Sequence, residues 1–174
     1  LLTRIIVGAQ TTIFSALALV AGITIIGTIV GIICGYVGGW IDSLLMRISD
    51  IFLAFPEMVF AIAIAGVLNG GIWSAAIAVG LIAWPRYARV ARSQVLSMKN
   101  HQYMNAAKLT GTPWYKMIVK HIMPNIMGPI IVTAALDIGA MIMNLAGLSY
   151  LGLGVVPPTP EWGSMMSEGR SMLQ

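Results

Sequence analysis

Charge is what this sequence has least of. Asp, Glu, Lys and Arg make up 9% of its 174 residues, whereas an average soluble domain carries about 25%. So few charges cannot coat a globule of this size. The shortage excludes a soluble enzyme, a disordered chain and a nucleic-acid binder, although the net charge is +4. Cysteine is nearly absent too: the single Cys34 cannot close an internal disulfide and reads as a small packing or membrane-facing residue. There is no GxxxxGK[ST] run to cradle a phosphate, so the chain has no nucleotide site of that kind. No secretory signal is evident; the chain begins with Leu1 rather than Met, and the expectation is that the true start lies upstream.

What is present is apolar, at 58% of residues, and uncharged over long stretches. Ile5 to Ile41 holds no Asp, Glu, Lys, Arg or His, nor does Met58 to Pro85, and Ile122 to Pro160 is interrupted only by Asp137. A bilayer core needs roughly 20 apolar residues of helix. Only helices and closed barrels satisfy the backbone in lipid, and these runs lack the alternation of barrel strands. The reading is an all-α, polytopic membrane protein in one transmembrane domain over 1–174, with spans near 11–37, 50–68, 72–97 and 124–148.

Local signals refine these spans. Gly27, Gly31 and Gly35 recur every four residues, which either lets a neighbouring helix approach closely or reflects the frequency of glycine in membrane helices. Gly38 and Gly39 end the first span ahead of an amphipathic connection from Trp40 to Asp50. Pro56 is expected to kink the second span or mark where its regular hydrogen bonding begins. Asn69, Gly70 and Gly71 reverse the chain. The third span continues through Pro85, with Arg86, Arg89 and Arg92 on one face, where they can snorkel to headgroups.

Residues 86–120 hold seven Lys or Arg and no acid, so the positive-inside rule makes this stretch cytoplasmic. Alternation then places the 38–49 connection inside and the turn at Asn69 outside. A coupling loop over about 99–123 is cytoplasmic and a loop over about 149–174 external. In the latter, Pro157, Pro158 and Pro160 forbid a regular helix, and Trp162 is expected at the membrane interface.

The cytoplasmic stretch has its own punctuation. A short helix is expected from Gln102 to Thr110, with Gly111 in the left-handed position after its end. Thr112 then serves as N-cap and Pro113 as first residue of a second helix that stops near Pro124. On spacing alone the segment is either a solvated basic loop or a helix that docks in another protein's groove.

The run Asn105, Ala106, Ala107, three residues, Gly111, then Pro124 resembles the cytoplasmic signature loop of ABC importer permeases. Asn105 stands where Glu is usual, His121 where Ile is usual and Met123 where Leu is usual. The stretch 121–125 is similar to the dipeptide, oligopeptide and nickel branch. AGLSYLGLG at 146–154 with PPTPEWG at 157–163 resembles the external loop of the second permease subunit of that branch, and 35–56, with GGWIDSLLMRISDIFLAFP, resembles the family's inner connection and third helix.

The resemblance implies a type I permease fold, here four of an expected six spans, in a bacterial cytoplasmic (inner) membrane. It also implies a second permease subunit, two cytoplasmic ATPase subunits that carry ATP and Mg, and an extracytoplasmic substrate-binding protein. The chain itself would be no enzyme and would hold no cofactor. Asn105, Ala106, Ala107, Lys108, Leu109, Gly111 and Pro124 would form the ATPase-coupling segment. The departure at Asn105 leaves any ionic contact there in doubt.

For cargo, the acids inside spans are the local clue. Asp137, near the middle of the fourth span, and Glu57, a turn or two inside the second, either line a translocation pathway or are structural. The run 136–139 with AGLSYLGLG looks closer to nickel and metallophore permeases, which tilts the reading towards nickel or a metal chelate, with di- or oligopeptide as the alternative. No metal site is expected at His101, His121 or the methionines. Rivals of another class are an ion-coupled secondary transporter or channel that uses the two acids, and a scaffold without transport.

Overall fold

A computed structural model describes residues 2–155 and 158–171; the side chains of Lys108 and Ser171 lie outside the described residues, as do Val156 and Pro157 of the expected external loop and residues 172–174. The described residues are helical, with no strand among them. In chain order the helices are α1 (Leu2–Val37), α2 (Gly39–Leu53), α3 (Glu57–Val67), α4 (Ile72–Lys99), α5 (Gln102–Leu109) and α6 (Trp114–Met117). A π-helical turn (Ile118–Ile122) leads into α7 (Met123–Tyr150), and α8 (Trp162–Ser171) ends the series.

Several boundaries differ from expectation. The first span begins at Leu2 rather than near 11. The second is not one helix: Pro56, with extended backbone (φ −59°, ψ 124°), is the N-cap of α3. Asp50 belongs to α2 and Glu57 opens α3 instead of sitting a turn inside it. Among the described residues, α1 and the stretch Trp114–Tyr150 are long and apolar enough to cross a bilayer, and α2 with α3 adds a third if taken as one broken span. Although α4 has the expected extent and runs unbroken through Pro85, its second half carries Arg86, Arg89 and Arg92.

The chain divides into two compact units, to each of which α1, α4 and α7 contribute. One gathers Ile23–Phe52 and Trp84–Ala135. Here Gly27, Gly31 and Gly35 face α4 so closely that a Cβ on Gly27 would lie 2.5 Å from Tyr87 Cβ, one on Gly31 2.6 Å from Ala91 Cβ, and one on Gly35 2.7 Å from Val95 Cβ. Close approach is thus the reason for the spacing. Cys34 is fully buried in the same unit, a packing residue and not a membrane-facing one.

Gly38 and Gly39 both take positive φ (71° and 63°), a pairing only glycine adopts without strain, and Lys99 Nζ donates to the Tyr36 carbonyl at the end of α1 (2.9 Å). Two of the three expected arginines of α4 are paired with acids on α2. Arg92 donates from Nε and Nη2 to the two oxygens of Asp42, each at 2.6 Å, and Arg89 pairs with Asp50 at 2.5 Å. The acids that meet this face of α4 both come from α2, which α4 alone does not reveal. Asp42 lies before residues 50–68, the stretch expected to form the second span, and the Arg92 hydrogen bonds hold its carboxyl below the usual carboxylate range.

The other unit gathers the chain up to Gly22, Leu53–Ala83 and the residues from Leu136 on. Asn69, Gly70 and Gly71 all have positive φ, which makes the expected reversal. The 149–174 segment, expected to be a loop, contains α8, which begins after Pro160. Glu161 caps α8: its Oε2 accepts from the Ser164 amide at 3.0 Å and its Oε1 from Thr12 Oγ1 at 3.3 Å. It is 3% exposed. Trp162 Nε1 donates to the Ile5 carbonyl at 3.2 Å. Gly163 sits so near Ala146 that any side chain there would strike its backbone.

Candidate functional site

The 99–123 stretch lies wholly in the unit that holds Ile23–Phe52. Helix α5 begins where Met104 and Asn105 donate backbone amides to the His101 carbonyl (3.0 and 3.3 Å). It ends one residue short of expectation, at Leu109, with Gly111 at φ +73°. The Thr112 amide closes back onto the Ala107 carbonyl at 3.1 Å, the six-to-one bond of a glycine-terminated helix.

Met104 roots α5 in the core. Fully buried, it belongs to a cluster with Ile32, Val95, Met98, Met117 and Ile122. The residues that the resemblance marks for coupling face the other way. Asn105, Ala106 and Gly111 are exposed, Ala107 is half-buried and Leu109 is 89% exposed. Lys108 lies in α5, but its side chain is outside the described residues.

Trp114 and Tyr115 are also exposed, at 65% and 51%, and pack edge to face. Tyr103, exposed at 44%, lies between His101 and His121, with ring centroids 5.7 and 6.4 Å away. Glycine and alanine spacing alone passes over these aromatics, although their density from 103 to 115 is plain in the sequence. A segment rooted at Met104 that leaves Leu109, Trp114 and Tyr115 exposed can bury those side chains only against another surface.

The second helix departs from expectation at both ends. Pro113, with extended backbone (φ −66°, ψ 151°), is the N-cap instead of Thr112, since a proline lacks the amide that a cap would otherwise leave idle. Thr112 Oγ1 shares a hydrogen bond with Thr110 Oγ1 at 3.4 Å. Nor does the helix stop near Pro124. Met123 donates to Ile118, five residues back, and Pro124 comes next, exposed, in the first turn of α7. A proline ring clashes with the carbonyl four residues before it and leaves that carbonyl without a donor; the wider π turn gives the ring room. Asn125 Nδ2 donates to the His121 carbonyl at 2.6 Å.

The two acids expected in a pathway both belong to the other unit. Asp137 is 7% exposed, on α7. Glu57 Oε1 accepts from Asn144 Nδ2 at 3.1 Å. Asn144 lies seven residues after Asp137 and therefore on the same helical face. It is the polar residue that a search restricted to charges overlooks. No group of three or more His, Cys, Asp or Glu able to hold a metal occurs among the described residues.

A family model described as the binding-protein-dependent transport system inner membrane component matches residues 27–173. The chain is similar to the dipeptide transport system permease protein DppC of Alkalihalophilus pseudofirmus, at 42% identity over 99% of this chain and 57% of that protein. It is similar to the probable D,D-dipeptide transport system permease protein DdpC of Escherichia coli K12, at 39% identity over 98% and 57%. It also resembles a glutathione transport system permease protein, GsiD, of Escherichia coli, at 41% identity over 97% and 56%. The chain thus spans a little over half the length of these curated relatives.

Proposed function

The chain belongs to the family of inner-membrane components of binding-protein-dependent transport systems, and on that premise we propose that it forms part of the membrane-spanning region of a permease subunit in an ATP-driven importer of small peptides. Permease subunits of this kind are not enzymes; hydrolysis of ATP, with its Mg, falls to two cytoplasmic ATPase subunits. A second permease subunit completes the pathway, and an extracytoplasmic binding protein delivers the cargo across a bacterial inner membrane.

The observation that carries the proposal is the placement of α5. Met104 is fully buried, whereas Asn105, Ala106 and Leu109 project from the protein, so a push on the exposed face is transmitted to the core of the unit. Closure of the ATPase pair would shift α5 and bias the spans between inward and outward access. With Asn105 in place of Glu, docking relies on apolar contact through Leu109, Trp114 and Tyr115.

For cargo, the names of the relatives favour the peptide alternative over nickel. They refer to dipeptide, D,D-dipeptide and glutathione, and nickel transport has no support among them. The likeness of 136–139 to metal permeases therefore gives way. In this reading Asp137, Asn144 and Glu57 offer a polar face to a peptide's amide and ammonium groups.

The test is uptake by proteoliposomes that hold the full-length permease with its ATPases and binding protein. Labelled dipeptide should accumulate with ATP and be competed by unlabelled peptide. Uptake without ATP would overturn the importer reading, and nickel uptake that peptide does not compete would overturn the cargo.

A further inference from the structure

Helix α2 is built inside out for a helix that meets water. Its inward face holds Asp42, bound to Arg92, and the fully buried Ser49. Its outward face is a stripe of Trp40 (73% exposed), Leu44 (50%), Ile48 (37%) and Ile51 (61%), at the three- and four-residue intervals of one helical side. An apolar stripe turned outward calls for an apolar neighbour. Arg47 lies exposed within it, and the hydrocarbon core is a poor place for such a charge. The acids of α2 are already engaged, Asp42 by Arg92 and Asp50 by Arg89, so neither is left to neutralise Arg47. An apolar stripe with a tryptophan at one end and a cation in the middle matches a headgroup boundary.

A second observation comes from α1. Ile25, Ile29, Ile33 and Val37, four residues apart, are exposed at 60, 50, 41 and 56%. This stripe ends three residues before Trp40, at the Gly38–Gly39 break. An outward aliphatic row on a span, continued at once by an outward row that contains Trp and Arg, is the order in which a chain leaves the acyl region for the headgroups.

We infer that α2 is an interfacial helix that lies on the cytoplasmic leaflet and binds anionic lipid through Trp40, Leu44, Arg47, Ile48 and Ile51. The inference rests on the membrane reading of the chain and names a partner that the importer reading does not, the lipid surface itself. A cation near such a surface is attracted to it, and Arg89 and Arg92, though paired, keep the α2 acids from opposing that attraction.

The experiment uses the full-length permease in its assembled transporter, in nanodiscs of phosphatidylcholine with and without phosphatidylglycerol. Single nitroxide labels replace Leu44, Ile48 and Ile51, with Ser43 and Ile29 as references. Collision with oxygen reports lipid, and collision with a water-soluble nickel chelate reports solvent. Leu44, Ile48 and Ile51 labels should collide with oxygen more than Ser43 does, at shallower depth than Ile29. Phosphatidylglycerol should deepen them, and R47E should abolish that deepening.

Labels that meet mainly the nickel chelate would overturn the proposal, as would labels shielded from both reagents, which would mean that a subunit covers the stripe. If the Ile29 label also met water, the membrane reading itself would fail, so the two failures are distinguishable.

Discussion

Arg92 holds both carboxylate oxygens of Asp42 in a two-point grip, each contact 2.6 Å long. A lysine could occupy only one of those points. The pair is mostly shielded from solvent; its contribution is about 1–2 kcal/mol, with an allowance for partial exposure. R92K and D42N are each expected to lower the thermal unfolding temperature of the purified transporter by a few degrees.

The same pair sets an acid limit. Because the Asp42 carboxyl sits below its ordinary value, its stabilisation is complete above the unfolded carboxylate pKa of about 4 and disappears as pH falls through the lower folded value. Unfolding of the wild type and of D42N, measured from pH 7 downward, should differ by a constant amount at neutral pH. The two should converge only in strong acid.

The glycine row on α1 predicts an asymmetry. At Gly31 a side chain would strike the Ala88 carbonyl and Ala91, so G31V is expected to destabilise by about 1–3 kcal/mol or to prevent assembly. At Gly139 nothing lies within 4 Å of an added Cβ, and G139A should be neutral or stabilising by up to about 1 kcal/mol. Detergent-resistance assays on the two variants separate packing from glycine frequency.

How much of the fold is legible in the sequence depends on the kind of signal. Spans, the 69–71 reversal and the α5–Gly111 turn come from apolar runs and backbone freedom, which are local. The pairings of Arg89 and Arg92 are hidden because they join residues 39 and 50 positions apart. Helix α8 escapes a reading of the proline cluster, because prolines say where a helix cannot be and are silent about the residues beyond them. Pro124 misleads for a related reason: proline forbids one hydrogen-bond register, and the chain adopts another. At the candidate site, the small residues are readable from the signature, whereas the anchoring role of Met104 requires the core to be seen.

Leu109 and Met104 should separate docking from folding. L109D alters a side chain that is 89% exposed and should leave stability within about 0.5 kcal/mol, while peptide-stimulated ATP hydrolysis in proteoliposomes falls at least tenfold. M104A empties a buried site and should destabilise by about 2–5 kcal/mol. Equal coupling in L109D and wild type would remove α5 from the ATPase contact.

Asn144 provides the test of the pathway. N144A withdraws the hydrogen bond to Glu57 without touching α5. Peptide uptake should fall, with KM raised more than basal ATP hydrolysis is lowered. An unchanged KM would return Glu57 and Asn144 to a structural role.

The π turn at 118–122 accommodates Pro124 by inserting roughly one residue more than an α-helical ladder requires. Each residue of α-helix advances the chain by about 1.5 Å and rotates it by about 100°. The rotational phase of Trp114 and Tyr115 against α7 is therefore fixed by a single surplus residue, so that loss of one residue between 118 and 122 would turn the aromatic pair to another side of the helix without altering a single one of its atoms.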